Sequence, residues 1–168
     1  MTTALALPST EEEIWRYSRI NELDMSKFAN GKLTTTVEGG EGVQLTGAAA
    51  TALVGAGMHV QPDMFAQLNT DTPDVIALQI GKNKVHTQTV VITHSVDKSG
   101  IVAYPRLVID AAENSEIVVV ERFTSVDNVH SLVVPVVEVH AAQSARVTYL
   151  AINELGKNTW QIGHQVAV

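Results

Sequence analysis

The sequence predicts a mainly β domain preceded by a small helical N-terminal region. Three observations carry this reading. From Val75 onward, runs dense in Val, Ile and Thr alternate with short polar turns, the composition that pleated surfaces accept best. Ahead of that point, helix-start signals and Gly- and Ala-rich stretches prevail. Within the β region a segment recurs at an offset of 30 residues: Ile109-Asp110-Ala111-Ala112, then Ile117, aligns with Val139-His140-Ala141-Ala142, then Val147. Only the Ala-Ala pair is identical, but the apolar pattern matches along both copies. Short strands at a fixed period suit a parallel solenoid. An antiparallel sandwich with similar turn spacing gives much the same pattern, and periodicity alone leaves both open.

Each element follows from local signals. Pro8 and then Ser9-Thr10-Glu11-Glu12-Glu13 offer a capping box, with Ser9 as N-cap and Glu12 three residues on. The helix so opened would bury Ile14, Tyr17 and Ile20 on one stripe, with Trp15 and Arg16 beside it. Gly39, Gly40 and Gly42 mark a turn, and Ala48 to Leu53 reads equally as short helix or strand. Pro62-Asp63 opens a helix over Met64 to Leu68, and Thr72-Pro73-Asp74 breaks it. Strands are expected over Val75–Ile80, Val85–Val96, Arg106–Ile109, Ile117–Phe123, Val133–His140 and Arg146–Ile152. Lys82-Asn83, Asp97-Lys98-Ser99-Gly100 and Glu113-Asn114-Ser115 supply turns between them. The composition shift divides the chain into a helical and mixed region, 1–74, and a strand region, 75–168.

Composition narrows the function. The chain has 168 residues, 45% of them hydrophobic and 17% charged, which is too apolar for intrinsic disorder. Its 11 Lys and Arg against 18 Asp and Glu give a net charge of −7, a field that disfavours nucleic acid. With no cysteine there is no disulfide, thiolate ligand or Cys nucleophile in these residues. The start, MTTALALPSTEEE, lacks the basic and apolar regions of a secretory signal. The apolar stretch from Gly47 to Val60 falls short of a membrane span, so a cytoplasmic protein with no membrane partner is the expectation.

Six histidines, His59, His86, His94, His130, His140 and His164, invite a metal. No His-x-His or His-Glu-x-x-His spacing occurs. His86 and His94 on one straight strand would stand about 27 Å apart, too far to share an ion. Sheet-surface or turn histidines are the plainer reading. There is no Gly-x-Ser-x-Gly elbow, and Gly39-Gly40-Glu41-Gly42 lacks the ending of a phosphate loop. Asp110, Glu113, Glu116, Glu121 and Glu138 read as a solvated face. Accordingly no catalytic, cofactor-binding or metal-ligating residue is assigned.

Specific residues add a resemblance. Glu12-Glu13-Ile14-Trp15-Arg16-Tyr17-Ser18, followed by Ile20 and Leu23, resembles the N-terminal signature of SufD-type members of the SufB/SufD family of iron–sulfur cluster assembly proteins. Phe65-Ala66-Gln67-Leu68-Asn69, Tyr104 to Ile109, Glu116 to Phe123, Val136 to Val139, Ala145 to Tyr149 and Trp160 to Gly163 continue it in order. The Trp-Arg-Tyr start, and the absence of N-terminal cysteines, favour the SufD type over SufB.

The resemblance implies a right-handed parallel β-helix behind a helical N-terminal region, with inward Val, Ile and Leu stacked between rungs. It implies a non-catalytic scaffold of the SufBCD complex, with SufB and the SufC ATPase as partners of the full-length protein. Cofactors are expected in this chain to be none; an Fe–S cluster and ATP enter only through the full complex. Relatives are more than twice as long, and this chain stops before the half that holds their SufC-docking segment and cluster-building positions. It therefore resembles the N-terminal part of such a protein, and no residue of the later half carries over. Trp15 and Tyr17 are expected to anchor the N-terminal helix, Arg16 and Arg106 to pair with carboxylates, and Trp160 to pack near the last rung. An open solenoid end implies self-association. Two other readings compete: a histidine-using, metal-dependent β-sandwich or cupin-like enzyme, and a generic β-solenoid interaction module.

Overall fold

The computed structural model describes residues 6–55, 63–71 and 73–168. Three 3₁₀ turns (Glu13–Trp15, Ile20–Glu22, Met25–Lys27) lead into β1 (Ala29–Asn30), β2 (Thr34–Glu38) and β3 (Gln44–Leu45). Two short helices follow, α1 (Gly47–Thr51) and α2 (Met64–Asp71). Ten strands then coil: β4 (Asp74–Ile80), β5 (Val90–Val96), β6 (Ile101–Ala103), β7 (Pro105–Ala111), β8 (Glu116–Ser125), β9 (Ser131–Val133), β10 (Val136–Ala141), β11 (Arg146–Glu154), β12 (Thr159–Gln161) and β13 (His164–Ala167).

Every third strand returns to the same face. β4, β7, β10 and β13 form one parallel ladder, β5, β8 and β11 a second, and β6, β9 and β12 a third. This is a parallel β-solenoid of about three turns, so the sandwich alternative falls. The recurring segment is its physical signature: Ile109, Asp110 and Ala111 pair with Val139, His140 and Ala141, and Ile117 with Val147. The offset read from sequence is the length of one turn.

Alternation sorts the side chains. Val90, Ile92 and Val96 of β5, Leu107 and Ile109 of β7, and Ile117, Val119 and Phe123 of β8 point into the lumen and are buried. Inward residues of successive turns share a ladder, and most of the column they fill is apolar. At one corner Asn83, Asn114 and Ser144 follow one another along the axis with φ of 58°, 57° and 61°. Asparagine tolerates this left-handed backbone, and Asn114 Nδ2 donates to Asn83 Oδ1 at 2.9 Å.

The solenoid is covered outside on two faces. Ala50 of α1 packs on Ala77 and Val108, and Ala66 of α2 on Val136. The N-terminal turns lay Ile20 and Leu23, with half-buried Trp15, Met25 and Phe28, against Val102, Tyr104, Leu132, Val134 and Phe65. At the first turn β2 runs antiparallel to β5 and β3 antiparallel to β4, closing two faces, while β1 adds parallel to β6.

The N-terminal helix is corrected. The Ser9–Glu12 pair forms half of its capping box: Glu12 Oε1 accepts from Ser9 N–H at 3.0 Å, whereas the Ser9 hydroxyl accepts from Glu11 N–H. It opens 3₁₀ turns rather than an α-helix, since the segment wraps the third face and each turn is remade to follow it. Ile14 and Tyr17 stand 86% and 92% exposed, so Tyr17 anchors nothing. Trp15 does, its ring 5.9 Å from that of Phe65.

The strand limits shift for stereochemical reasons. Val133–His140 is two strands, because the chain turns a corner at Val134-Pro135 and proline has no N–H to give a ladder. Residues 81–89 form a corner, so β5 starts at Val90 and His86 and His94 do not share a strand; Val85 makes only an isolated bridge to Glu116. Pro62 and Thr72, which belong to the expected helix opening and break, lie outside the described residues.

Burial sets the expected mutational costs. Phe65→Ala should destabilise by about 3–5 kcal/mol, the usual loss for a fully buried aromatic, while Tyr17→Ala should change stability by less than about 0.5 kcal/mol. Urea denaturation of the two variants checks both values.

Candidate functional site: two buried polar clusters

The lumen is not wholly apolar. On β5 the inward series is Val90, Ile92, His94, Val96, and on β8 it is Ile117, Val119, Glu121, Phe123, so His94 and Glu121 occupy core positions. His94 Nε2 lies 3.0 Å from Glu121 Oε1, and Thr35 Oγ1 on β2 lies 2.9 Å from His94 Nδ1. Tyr149 of β11 donates its hydroxyl to Glu121 Oε2 at 2.5 Å. The His94 ring stacks on Phe123 at 4.8 Å. A hydrogen-bonded column thus runs along the lumen from the capping strand β2 to β11. Burial, and then the Glu121 carboxylate beside it, push the Tyr149 hydroxyl well above the ordinary tyrosine range, so it stays a proton donor.

Thr35, His94 and Glu121 have the hydrogen-bond order of a hydrolytic relay. The cavity beside Thr35 and His94 holds only about 50 Å³. That is room for one or two waters and not for a substrate. The column is therefore a buried network that satisfies its own members.

The second cluster lies on the outer face of the first ladder, under the helices. Arg106 Nε donates to Glu138 Oε1 at 2.7 Å, and the guanidinium and carboxylate form a fully buried ion pair. Arg106 Nη1 also donates to Asn69 Oδ1 at 3.0 Å and Thr70 Oγ1 at 3.2 Å, both on α2. Asn69 Nδ2 donates to the carbonyls of Pro105 and Val134 at 3.0 and 2.7 Å, so one amide ties two successive turns. Gly55 N–H donates to both oxygens of Glu138 at 3.1 Å, which fixes the end of the α1 segment. Removing the cation alone strands the acid: Arg106→Met should cost about 3–5 kcal/mol, and Arg106→Met with Glu138→Leu distinctly less. Chemical denaturation of the single and double variants tests this.

Asp63 caps α2, accepting from Ala66 N–H at 3.0 Å, and its Oδ1 lies 3.1 Å from His164 Nε2 on β13. Burial pushes its carboxyl up, but the hydrogen bonds from His164 and from Ala66 N–H outweigh burial and hold it below the ordinary carboxylate range. A carboxylate depressed in the folded state stabilises fully above its unfolded value of about 3.9, and that contribution is lost as pH falls through the lower folded value. Asp63→Asn should lack this component of acid destabilisation. Urea midpoints measured between about pH 5 and pH 2 should fall less steeply in the variant than in the parent.

The structure scatters the remaining candidates. His86 Nε2 meets Gly39 O at 2.7 Å, His130 N–H donates to Ser99 Oγ at 3.1 Å, and His140 Nε2 lies 3.7 Å from Glu138 Oε2. His59 lies outside the described residues. Among the described residues no three His, Asp or Glu side chains gather as a metal would need. Arg16 pairs with Glu13 at 2.6 Å and Arg106 with Glu138, as expected of both arginines. Trp160 sits on β12 in the last turn, with Arg19 stacked 5.8 Å from its ring. Asp110, Glu113 and Glu116 pair at the surface with Gln79, Lys82 and Arg146. Glu121 and Glu138 do not belong to a solvated face: both are buried in the networks above. The overlooked signal was phase, since His94 and Glu121 each stand at an inward position of an alternating apolar strand.

The SUF system FeS cluster assembly, SufBD core domain matches residues 78–168. The chain belongs to the SufBD core family. The match begins inside β4 and runs through all three turns of the solenoid. A SufBD core domain is a domain of iron–sulfur cluster assembly, which sets the field in which this chain works. No curated protein and no solved structure matches the chain.

Proposed function

We propose that this chain is the N-terminal part of a SufD-type scaffold in a SufBCD complex, that it acts without catalysing a reaction of its own, and that it works in the cytoplasm. The observation that carries the reading is the SufBD core match over the solenoid, joined to the Trp15-Arg16-Tyr17 start that the core match does not cover. In this reading SufB and the SufC ATPase are the partners, and the cluster and ATP belong to the assembled complex. One further fact supports it: the outer buried network is engaged in holding α2 to the solenoid. No helix among the described residues is long and apolar enough to cross a membrane.

Self-association belongs to the same proposal. Among the described residues β11, β12 and β13 each have a ladder partner on one side only. Such an edge is a template for another strand.

Size-exclusion chromatography with purified SufB and SufC, beside a full-length SufD control, tests both claims. The chain should co-elute with the partners and, alone, should elute earlier as loading rises. Co-elution of the control only would remove the partner assignment from this portion of the protein, and a monomer peak at every loading would remove the self-association.

A further inference from the structure

Two faces of the solenoid are covered, the first ladder by α1 and α2 and the third by the N-terminal turns. The outer side of β2, β5, β8 and β11 is bare among the described residues. Residues that alternate with the lumen positions point outward there. The register sets Val91, Val120 and Leu150 in one row across three strands. Val118 and Ile152 flank the row, and none of these five packs into an apolar cluster among the described residues. Leu150 is 52% exposed. The face looks sideways from the solenoid axis, and β5 and β8 have ladder partners on both sides. Val91 and Val120 are therefore uncovered for want of an outer layer, not of a further turn.

The charges around this row are arranged symmetrically. On β11, Arg146 stands four residues before Leu150 and Glu154 four residues after it. A half-turn about the row lays Val91, Val120 and Leu150 on their own counterparts in a second copy. It also sets Arg146 of each copy over Glu154 of the other, an ion pair made twice. On β8 the same rotation brings Val118 of one copy to the aliphatic stem of Arg122 of the other. A two-fold along the strand at β8 does the reverse, since it sets Glu116 on Glu116 and Arg122 on Arg122. The Arg146 side chain is 81% exposed and reaches its own Glu116 only at 3.8 Å, so it is open to a second acid.

We propose that this face pairs with the same face of a second copy of the chain, about a two-fold axis along the row of Val91, Val120 and Leu150. Such a contact is isologous and self-complementary. Nine residues by three strands make a face of about 30 Å by 14 Å, roughly 400 Å² per copy, half of a standard interface. The pair is therefore weak and forms at high protein concentration. Glu38 extends the row on β2 and meets its own copy there, which weakens the pair further. The contact uses an outer face rather than the open edges of β11, β12 and β13, and it stands apart from the scaffold reading.

The chain has no cysteine, so a single introduced thiol reports on one position alone. Val120→Cys should be linked to its own copy by a short bis-maleimide, and Val126→Cys, exposed at the corner after β8, should not. Pairing through the β11 edge would leave two such Cβ positions about 14 Å apart on one side of the joined sheet, beyond that linker. Leu150→Cys is the second variant on the row, with folding checked by circular dichroism. Sedimentation equilibrium then tests the charges. Arg146→Glu and Glu154→Arg should each weaken pairing about tenfold, since each sets like charges together twice. An equimolar mixture of the two should restore it, because the mixed pair recovers both contacts. Glu38→Gln should tighten it. No linking at either row position, equal linking at Val126→Cys, or association that the two charge variants leave unchanged would overturn the proposal, the last assigning association to the strand edges instead.

Discussion

The inward apolar side chains of this solenoid stack on their ladder partners one turn away, strand on strand at about 4.8 Å. Leu78 stacks on Ile109 and Ile109 on Val139, while Val90 stacks on Val119 and Val119 on Tyr149. This like-on-like stacking is the constraint from which the rest follows. It sets the turn length, because a shift of one residue would turn each inward valine or isoleucine out and bring polar neighbours in. It also makes the three faces depend on one another, since each strand is placed by the corner before it.

Within such a column a polar residue has no water to turn to, and His94 and Glu121 are placed in consecutive turns where they can serve each other. His94 and Glu121 do so across one ladder step, with Thr35 and Tyr149 closing the ends. The outer face follows the same logic. Arg106 and Glu138 are costly to bury, but their further hydrogen bonds reach the segments that must be held: Asn69 and Thr70 on α2, and Gly55 after α1. A purely apolar contact between small helices and a smooth valine-rich sheet would leave their position loosely defined. The buried pair specifies it.

Much of the solenoid was legible because its signals are additive. The recurrence of Ile109-Asp110-Ala111 as Val139-His140-Ala141 gave the turn length, and residue-by-residue pairing follows from it. β6, β9 and β12 were harder to see, since three residues are too short for any period. The N-terminal helix was misread because its capping signal is local, while the conformation is decided by a sheet face far away in sequence. Ile20 and Trp15 are taken by that face and Tyr17 is left outside. The polar clusters were hidden for a different reason. Glu121 and Glu138 look like any surface glutamate until the phase of the strand is known, and Thr35 and Asn69 gain their roles only from partners dozens of residues away.

The reversed strands at the first turn bear on how copies of this fold can join. A ladder of uniform polarity can in principle be extended without limit, each unit adding its first strand to the last strand of another, and such head-to-tail joining is how fibrils grow. Here β2 and β3 present chains of opposite direction on two of the three faces. A second copy arriving in parallel register finds the wrong polarity there. Head-to-tail growth in one polarity is therefore blocked on those two faces. The cap acts as a chain terminator on the faces it covers.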